Sequence, residues 1–256
     1  MRYLKQAKKI SRTQHVLHTS SGKVDFTLKR SSARRTLCIS IDNRADVVVA
    51  APIHSAHQKI EQFIEEKSKW IIEKIKEAQK SKSILEQKSF THGQQFLFLG
   101  KKCRLNIIKD DIVRSRISFN GEEWRVTVSD QINQSEQESA VKKKMIQWYR
   151  VQAQEILGGR IFHYSRTMGC VPKKIAIRTQ KRMWGCCDYH AQTIHLNWQI
   201  ILSPAEVVDY VVVHEMCHLF VPNHSKRFWK RVEKYMPDYD QYRKWLKINS
   251  LDMILP

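Results

Sequence analysis

From residue 37 onward the chain switches between two hydrophobic periods. Leu37–Ile41 alternates apolar and small polar residues, and Val47–Ala51 is rich in β-branched side chains, so both predict strands. Between Ser55 and Lys80, Ile60, Phe63, Ile64, Lys67, Trp70, Ile71 and Ile75 recur at helical spacing and predict a helix. Two hairpins follow. Phe96–Leu99 turns at Gly100-Lys101 into Cys103–Ile108, and Ile112–Phe119 turns at Asn120-Gly121 into Trp124–Val128. Asn-Gly supplies the positive φ that a two-residue hairpin turn requires.

Beyond the polar stretch Asp130 to Glu138 the period becomes helical, from Ser139 to about Met168, with Gly158-Gly159 as a point of kinking or division. Lys174–Arg178 and Thr193–Trp198 predict strands. Helices are expected over Pro204–Phe220, Ser225–Met236 and Asp238–Ile248. The first has Ser203 as its N-cap, Pro204 at its first position and Glu206 three residues after the cap. No internal repeat is visible. The pattern predicts an α+β chain with a β-rich subdomain carrying one helix over residues 1–130 and a second, mostly helical domain over 131–256.

Hydrophobic residues make up 42% of the 256 residues and charged ones 27%, an ordinary globular balance. The charge is not ordinary: 45 Lys and Arg against 25 acids give +20. Lys142-Lys143-Lys144, Lys173-Lys174 with Arg178, Lys181 and Arg182, and Lys226-Arg227 with Lys230, Arg231 and Lys234 form basic clusters. A nucleic acid or another polyanion is therefore a candidate partner, although a solvated basic surface explains the same charge. The six cysteines are scattered without a Cys-x-x-Cys pair, which fits reduced thiols in a cytoplasmic protein. No apolar run is long enough to span a bilayer, and nothing in the sequence sets an oligomeric state.

The chemistry concentrates at His214-Glu215-Met216-Cys217-His218. On a helix, positions i and i+4 share a face, so two imidazoles point at one spot and can each give a neutral nitrogen to Zn²⁺. The apolar run Val207 to Val213 buries this helix, and polar groups on a buried helix need partners. His224 follows His214 by ten residues, which lets the chain turn at Pro222-Asn223 and return. Metzincins use the same count but carry Gly where this chain has Val221. The bland reading of His224 is a residue at the start of the next helix, with Glu233 as the reserve ligand. Three protein ligands would leave one position open for water, the mark of a catalytic rather than a structural zinc site. Glu215 is expected to act as general base beside a single Zn²⁺.

Several motifs resemble the YgjP-like metallopeptidase family, relatives of the SprT-like and Spartan proteases. They run from Arg30-Ser31-Ser32-Ala33-Arg34-Arg35-Thr36-Leu37, Ala51-Pro52 and Trp70-Ile71 through Phe96-Leu97-Phe98-Leu99-Gly100 to Trp184-Gly185-Cys186-Cys187 and Ile194-His195-Leu196-Asn197-Trp198. The most specific are Asp209 to His218 and Asn223-His224-Ser225-Lys226-Arg227-Phe228-Trp229. The resemblance implies a minimal zincin-like core, three His ligands, a Glu base and a protein or peptide substrate. The chain departs from the family in having Met183 directly before Trp184-Gly185 and in lacking a Gly turn at Tyr189-His190-Ala191-Gln192.

The remaining candidates are weaker. Asn197 and His195 lie on a strand that could pair with extended substrate, Trp184 either walls the site or fills the core, and Arg182 is a possible substrate contact. Tyr189, Arg182 and Tyr242 are candidates for stabilising an oxyanion. Cys217 and Cys186-Cys187 read as packing residues rather than ligands. Two other functions share these residues: a metal-dependent nucleotide or phosphoanhydride hydrolase, and a basic nucleic-acid-binding protein with a structural metal.

Overall fold

The computed structural model describes residues 10–42, 45–180 and 183–255. The contacts divide the chain into two compact units, Met1–Gln87 and Lys88–Pro256. The first contains a four-stranded sheet with strands β1 (Ile10–Thr19), β2 (Gly22–Ser31), β3 (Cys38–Ile41) and β4 (Val47–Pro52), in the order β1-β2-β4-β3. Two helices follow, α1 (His57–Glu66) and α2 (Ser68–Gln87), where the spacing predicted one; they part at Lys67. Val24, Phe26, Leu28, Val47, Val49 and Ala51 alternate inward from β2 and β4 and meet Ile60, Ile64 and Ile71 of the helices.

The second unit holds β5 (Gln95–Phe98), β6 (Lys101–Asp110), β7 (Arg116–Phe119) and β8 (Glu123–Ser129), in the order β5-β6-β8-β7. Helix α3 (Gln134–Met168) packs on this sheet. Its start lies inside the polar stretch read as a boundary. Asn133 and Glu136 form a reciprocal capping box there. The helix runs 35 residues without a break at Gly158-Gly159. Gln137, Val141, Met145, Tyr149, Ala153, Leu157, Ile161 and Ser165 recur every four residues and are all buried. Trp124, Phe119, Phe98, Trp148 and Tyr149 interlock between sheet and helix. These rings put β5–β8 in the same hydrophobic core as everything downstream, so the unit boundary falls at Gln87 and Lys88 rather than at residue 130.

A three-stranded sheet, order β10-β11-β9, is built from β9 (Lys174–Arg178), β10 (Gly185–Asp188) and β11 (Thr193–Asn197). A 3-10 helix (Trp198–Leu202) leads into α4 (Ala205–Cys217), followed by α5 (Lys226–Tyr235) and α6 (Tyr239–Asn249). Ser203 does not cap α4: it is fully buried and its hydroxyl donates to the carbonyl of Ile200 at 2.7 Å. Helix α4 is apolar nearly all round because it is covered by α3, α5, α6, β10 and β11. Among the described residues, no helix is long and apolar enough to cross a membrane. The fold is α+β.

Candidate metal centre and catalytic residues

Helix α4 ends at Cys217, and His218 is its C-cap with helical φ and ψ, so His214 and His218 stay in phase across one turn. Their ring centroids are 5.0 Å apart. The chain then tightens through bonds from Leu219 N–H to Met216 O, and from Phe220 and Val221 N–H to Cys217 O. Val221 takes this turn without a positive φ, so no glycine is needed where metzincins have one. The turn returns His224 to the pair: its Nε2 lies 3.0 Å from Nε2 of His214 and 3.2 Å from Nε2 of His218. These three residues are the group among the described residues that could hold a metal ion; Glu233 is exposed on α5 and is not part of it.

The donor set fits a cation. Nitrogens bound at about 2.0–2.1 Å to a tetrahedral ion sit roughly 3.3 Å apart, close to the observed separations. His218 Nδ1 donates to the carbonyl of Val221 at 3.0 Å, and a carbonyl can only accept, so the Nε2 of His218 carries a lone pair toward the cluster. Burial first, then the neighbouring His218, His224 and Arg243, pulls His214 down to about 3, which keeps that ring neutral. Burial likewise lowers His218. Neutral imidazoles are the form a metal takes.

Glu215 is buried on the same helical turn, and its Oε2 has no hydrogen-bond partner among the described residues. Burial alone pushes its carboxyl up to about 8. An orphaned buried carboxyl oxygen on the residue next to His214 is a place for a water or an ion. The opposite wall is Gly185 of β10: a Cβ there would lie 2.6 Å from both Cγ and Oε1 of Glu215. Only glycine leaves room for the carboxylate.

Asp209 ties α4 to α3 through a 3.0 Å ion pair with Arg160, while burial raises its carboxyl pKa against the pull of that guanidinium. Tyr210, four residues before His214, places its ring 5.8 Å from that imidazole. Its hydroxyl is pushed up to about 12, by burial first, and so stays protonated. The motif reading missed Tyr210, although 210, 214 and 218 form one i, i+4 stripe.

The weaker candidates separate. Asn197 is buried and committed to structure: its amide donates to the carbonyls of Gln180 and Met183, and its carbonyl accepts from Gln199 N–H. His195 pairs with Cys186 across β10 and β11, and its Nδ1 is buried without a hydrogen-bond partner among the described residues. Burial, then Arg178 and Lys174, lowers its pKa. Strand β11 lies between β10 and β9, so both its edges are taken; β10 and β9 each keep one edge free among the described residues. Trp184 is half-buried against the core, and its carbonyl accepts from Asn197 N–H at 2.8 Å. Arg182 lies outside the described residues. Tyr189 is exposed and packs edge-on to His190, while Tyr242 packs on the core. Cys217 is fully buried, and burial pushes both its thiol and that of Cys187 up to about 12, so neither offers a thiolate.

Against known proteins, residues 35–249 match the YgjP-like metallopeptidase domain. No curated protein matches. Among solved structures, the crystal structure of the metallopeptidase zymogen of Pyrococcus abyssi abylysin matches at 23% identity and a TM-score of 0.33. The match covers 37% of this chain and 92% of that one, a likeness too slight to carry weight. The domain match spans most of the chain and includes every residue of the histidine cluster, and the chain belongs to the YgjP-like metallopeptidase family.

Proposed function

We propose that the chain is a zinc-dependent peptidase in which His214, His218 and His224 hold one Zn²⁺ and Glu215 is the general base. One observation carries this reading: three imidazole nitrogens face one another at 3.0 and 3.2 Å while Glu215 lies buried on the same turn with an unpartnered oxygen. An all-imidazole set of three suits zinc with a fourth position open. When bound there, the ion supplies Lewis acidity that acidifies water and polarises a carbonyl, and its charge draws Glu215 into the ionised form.

Glu215 takes a proton from the attacking water and returns it to the leaving amine as the C–N bond breaks, so one carboxylate serves first as base and then as acid. Its burial keeps competing water away from that proton. The free edge of β10 offers backbone groups at Gly185–Asp188 to an extended peptide, beside the glycine that faces Glu215. Six unpaired cysteines support a reducing, cytoplasmic setting.

The test is cleavage of casein or an unstructured peptide by the full chain loaded with Zn²⁺. Glu215→Gln is expected to keep its zinc and to lose about 10²–10⁴-fold in rate. Wild-type cleavage by that variant, or full zinc occupancy after His214→Ala, overturns the reading.

A further inference from the structure

The three imidazoles are held by different means. His218 is fixed by its Nδ1 bond to the carbonyl of Val221. His224 sits on the exposed turn between α4 and α5, and among the described residues no hydrogen bond reaches its Nδ1. What orients its ring is aromatic contact. Trp229 of α5 stacks on it at 5.6 Å and 29°, and Phe228 meets it edge-on at 4.8 Å. Trp229 also touches His214 edge-on at 5.8 Å. The indole is itself braced from α6: Tyr239 stacks on it at 5.2 Å and 18°, and the Arg243 guanidinium carbon lies 4.8 Å from its ring centroid.

We propose that Trp229 is the positioning residue of His224, holding its imidazole plane so that Nε2 faces the other two nitrogens, and that Tyr239 and Arg243 act through Trp229. The inference rests on the three-histidine reading. A histidine on a solvent-exposed turn has two free side-chain torsions, and a ligand that must be ordered on binding binds more weakly than one already in place. Metal-ligating histidines elsewhere are oriented by a hydrogen bond on the far nitrogen. Here the stack takes that role for one ligand, and the hydrogen bond keeps it for His218. Aromatic pairs fix an interplanar angle, which a purely aliphatic neighbour does not.

The experiment measures Zn²⁺ affinity of the full chain by competition with a chromophoric chelator, together with the visible absorption of the Co²⁺-loaded form, which reports coordination geometry. Neither readout needs activity. Trp229→Leu is expected to weaken Zn²⁺ binding about tenfold or more and to alter the Co²⁺ spectrum. Trp229→Phe, which keeps a ring, restores both. Tyr239→Leu, outside the histidine cluster, weakens binding about two- to tenfold and carries the test if Trp229→Leu does not fold. Wild-type affinity in Trp229→Leu, a Phe variant as weak as the Leu variant, or wild-type affinity in Tyr239→Leu overturns the proposal. His224→Ala separates the two ideas. If it leaves Zn²⁺ affinity unchanged, the three-histidine reading falls and the proposal with it; if it weakens binding while Trp229→Leu does not, the positioning role alone falls.

Discussion

Strands β1–β4 and β5–β8 pair in the same way. In each, a hairpin's second strand runs parallel to the fourth strand, and the fourth takes the third antiparallel on its outer side. Each set then feeds helices that cover the sheet. The difference lies at the turn of the first hairpin. Between β1 and β2, Ser20 N–H donates to Glu65 of α1 at 3.0 Å and the Ser21 hydroxyl meets that of Ser68 on α2 at 2.9 Å, so the turn closes on the helices of its own unit. Between β5 and β6, Leu99 and Gly100 N–H donate to the carbonyls of Ile201 and Leu202 at 2.8 and 3.2 Å. Those carbonyls end the 3-10 helix that leads into the histidine-bearing α4. One layer closes on itself, and its copy in topology props up the proposed catalytic helix. Topology alone does not couple a sheet to a site; the docking of one turn does.

The largest expected effect comes from removing a core side chain in each layer. Trp124 is fully buried between β8 and α3, and Phe26 is buried among the inward residues of β2. Truncation of either to Ala is expected to destabilise its own unit by about 3–5 kcal/mol. The two cores share no buried residue, so the consequences should diverge. Trp124→Ala should lower Zn²⁺ affinity along with the denaturation midpoint, whereas Phe26→Ala should leave Zn²⁺ affinity within about twofold of wild type. Denaturation followed with a chelator readout checks this. Equal losses of affinity in both variants would erase the contrast between the layers.

A smaller effect sharpens where the site's geometry is set. The wall against Glu215 is supplied by Gly185 of β10. In Gly185→Ala the new Cβ would sit 2.6 Å from Oε1 of Glu215, too close to persist. The atoms it meets belong to a side chain that can swing, so the fold should be little destabilised. The carboxyl should move instead, and a displacement of about 1 Å at a catalytic group lowers rate roughly 100-fold, about 2.7 kcal/mol in barrier. An unchanged melting temperature with wild-type peptide cleavage would show that Glu215 is not held against this wall.

How much of this was legible in the sequence follows physical lines. His214 and His218 could be placed because helical phase is local, and His224 because a short turn limits where the next residues go. Strands β9 and β11 were legible by their alternation. β10 was not, since Gly185-Cys186-Cys187-Asp188 has no period and its role comes from pairing with β11. Val24, Phe26 and Leu28 carry a period of two that marks β2, but its partner β1 is mostly exposed and too polar to stand out. The unit boundary was misplaced because a polar stretch resembles a linker. Asp130 to Glu138 instead holds the cap of α3, and the real division depends on which core Phe90, Phe96 and Trp124 enter. The contact of Gly185 with Glu215 joins residues thirty apart in sequence, and no local pattern encodes it.

A substitution at Gly100 bears most directly on the docked turn. Gly100 has φ of +79°, and a Cβ there would lie 2.9 Å from Cγ and 3.0 Å from Cα of Pro204, directly before α4. Two penalties then act together in Gly100→Ala: a left-handed conformation that alanine resists, and a clash with a rigid ring and backbone that cannot swing aside. The strained conformation alone is worth about 1–3 kcal/mol. The clash can be relieved only if the turn lifts away from Pro204, which lengthens the bonds to Ile201 and Leu202, or if the start of α4 shifts. Either route reaches the histidine helix, so Zn²⁺ affinity should fall together with stability. The matching change in the other layer, Ser21→Ala, removes one half-buried hydroxyl contact within its own unit and should cost about 1 kcal/mol or less, with Zn²⁺ affinity untouched. Were Gly100→Ala to lower stability while binding Zn²⁺ as the wild type does, the turn would be a passive rest against Pro204 rather than a support for the histidines.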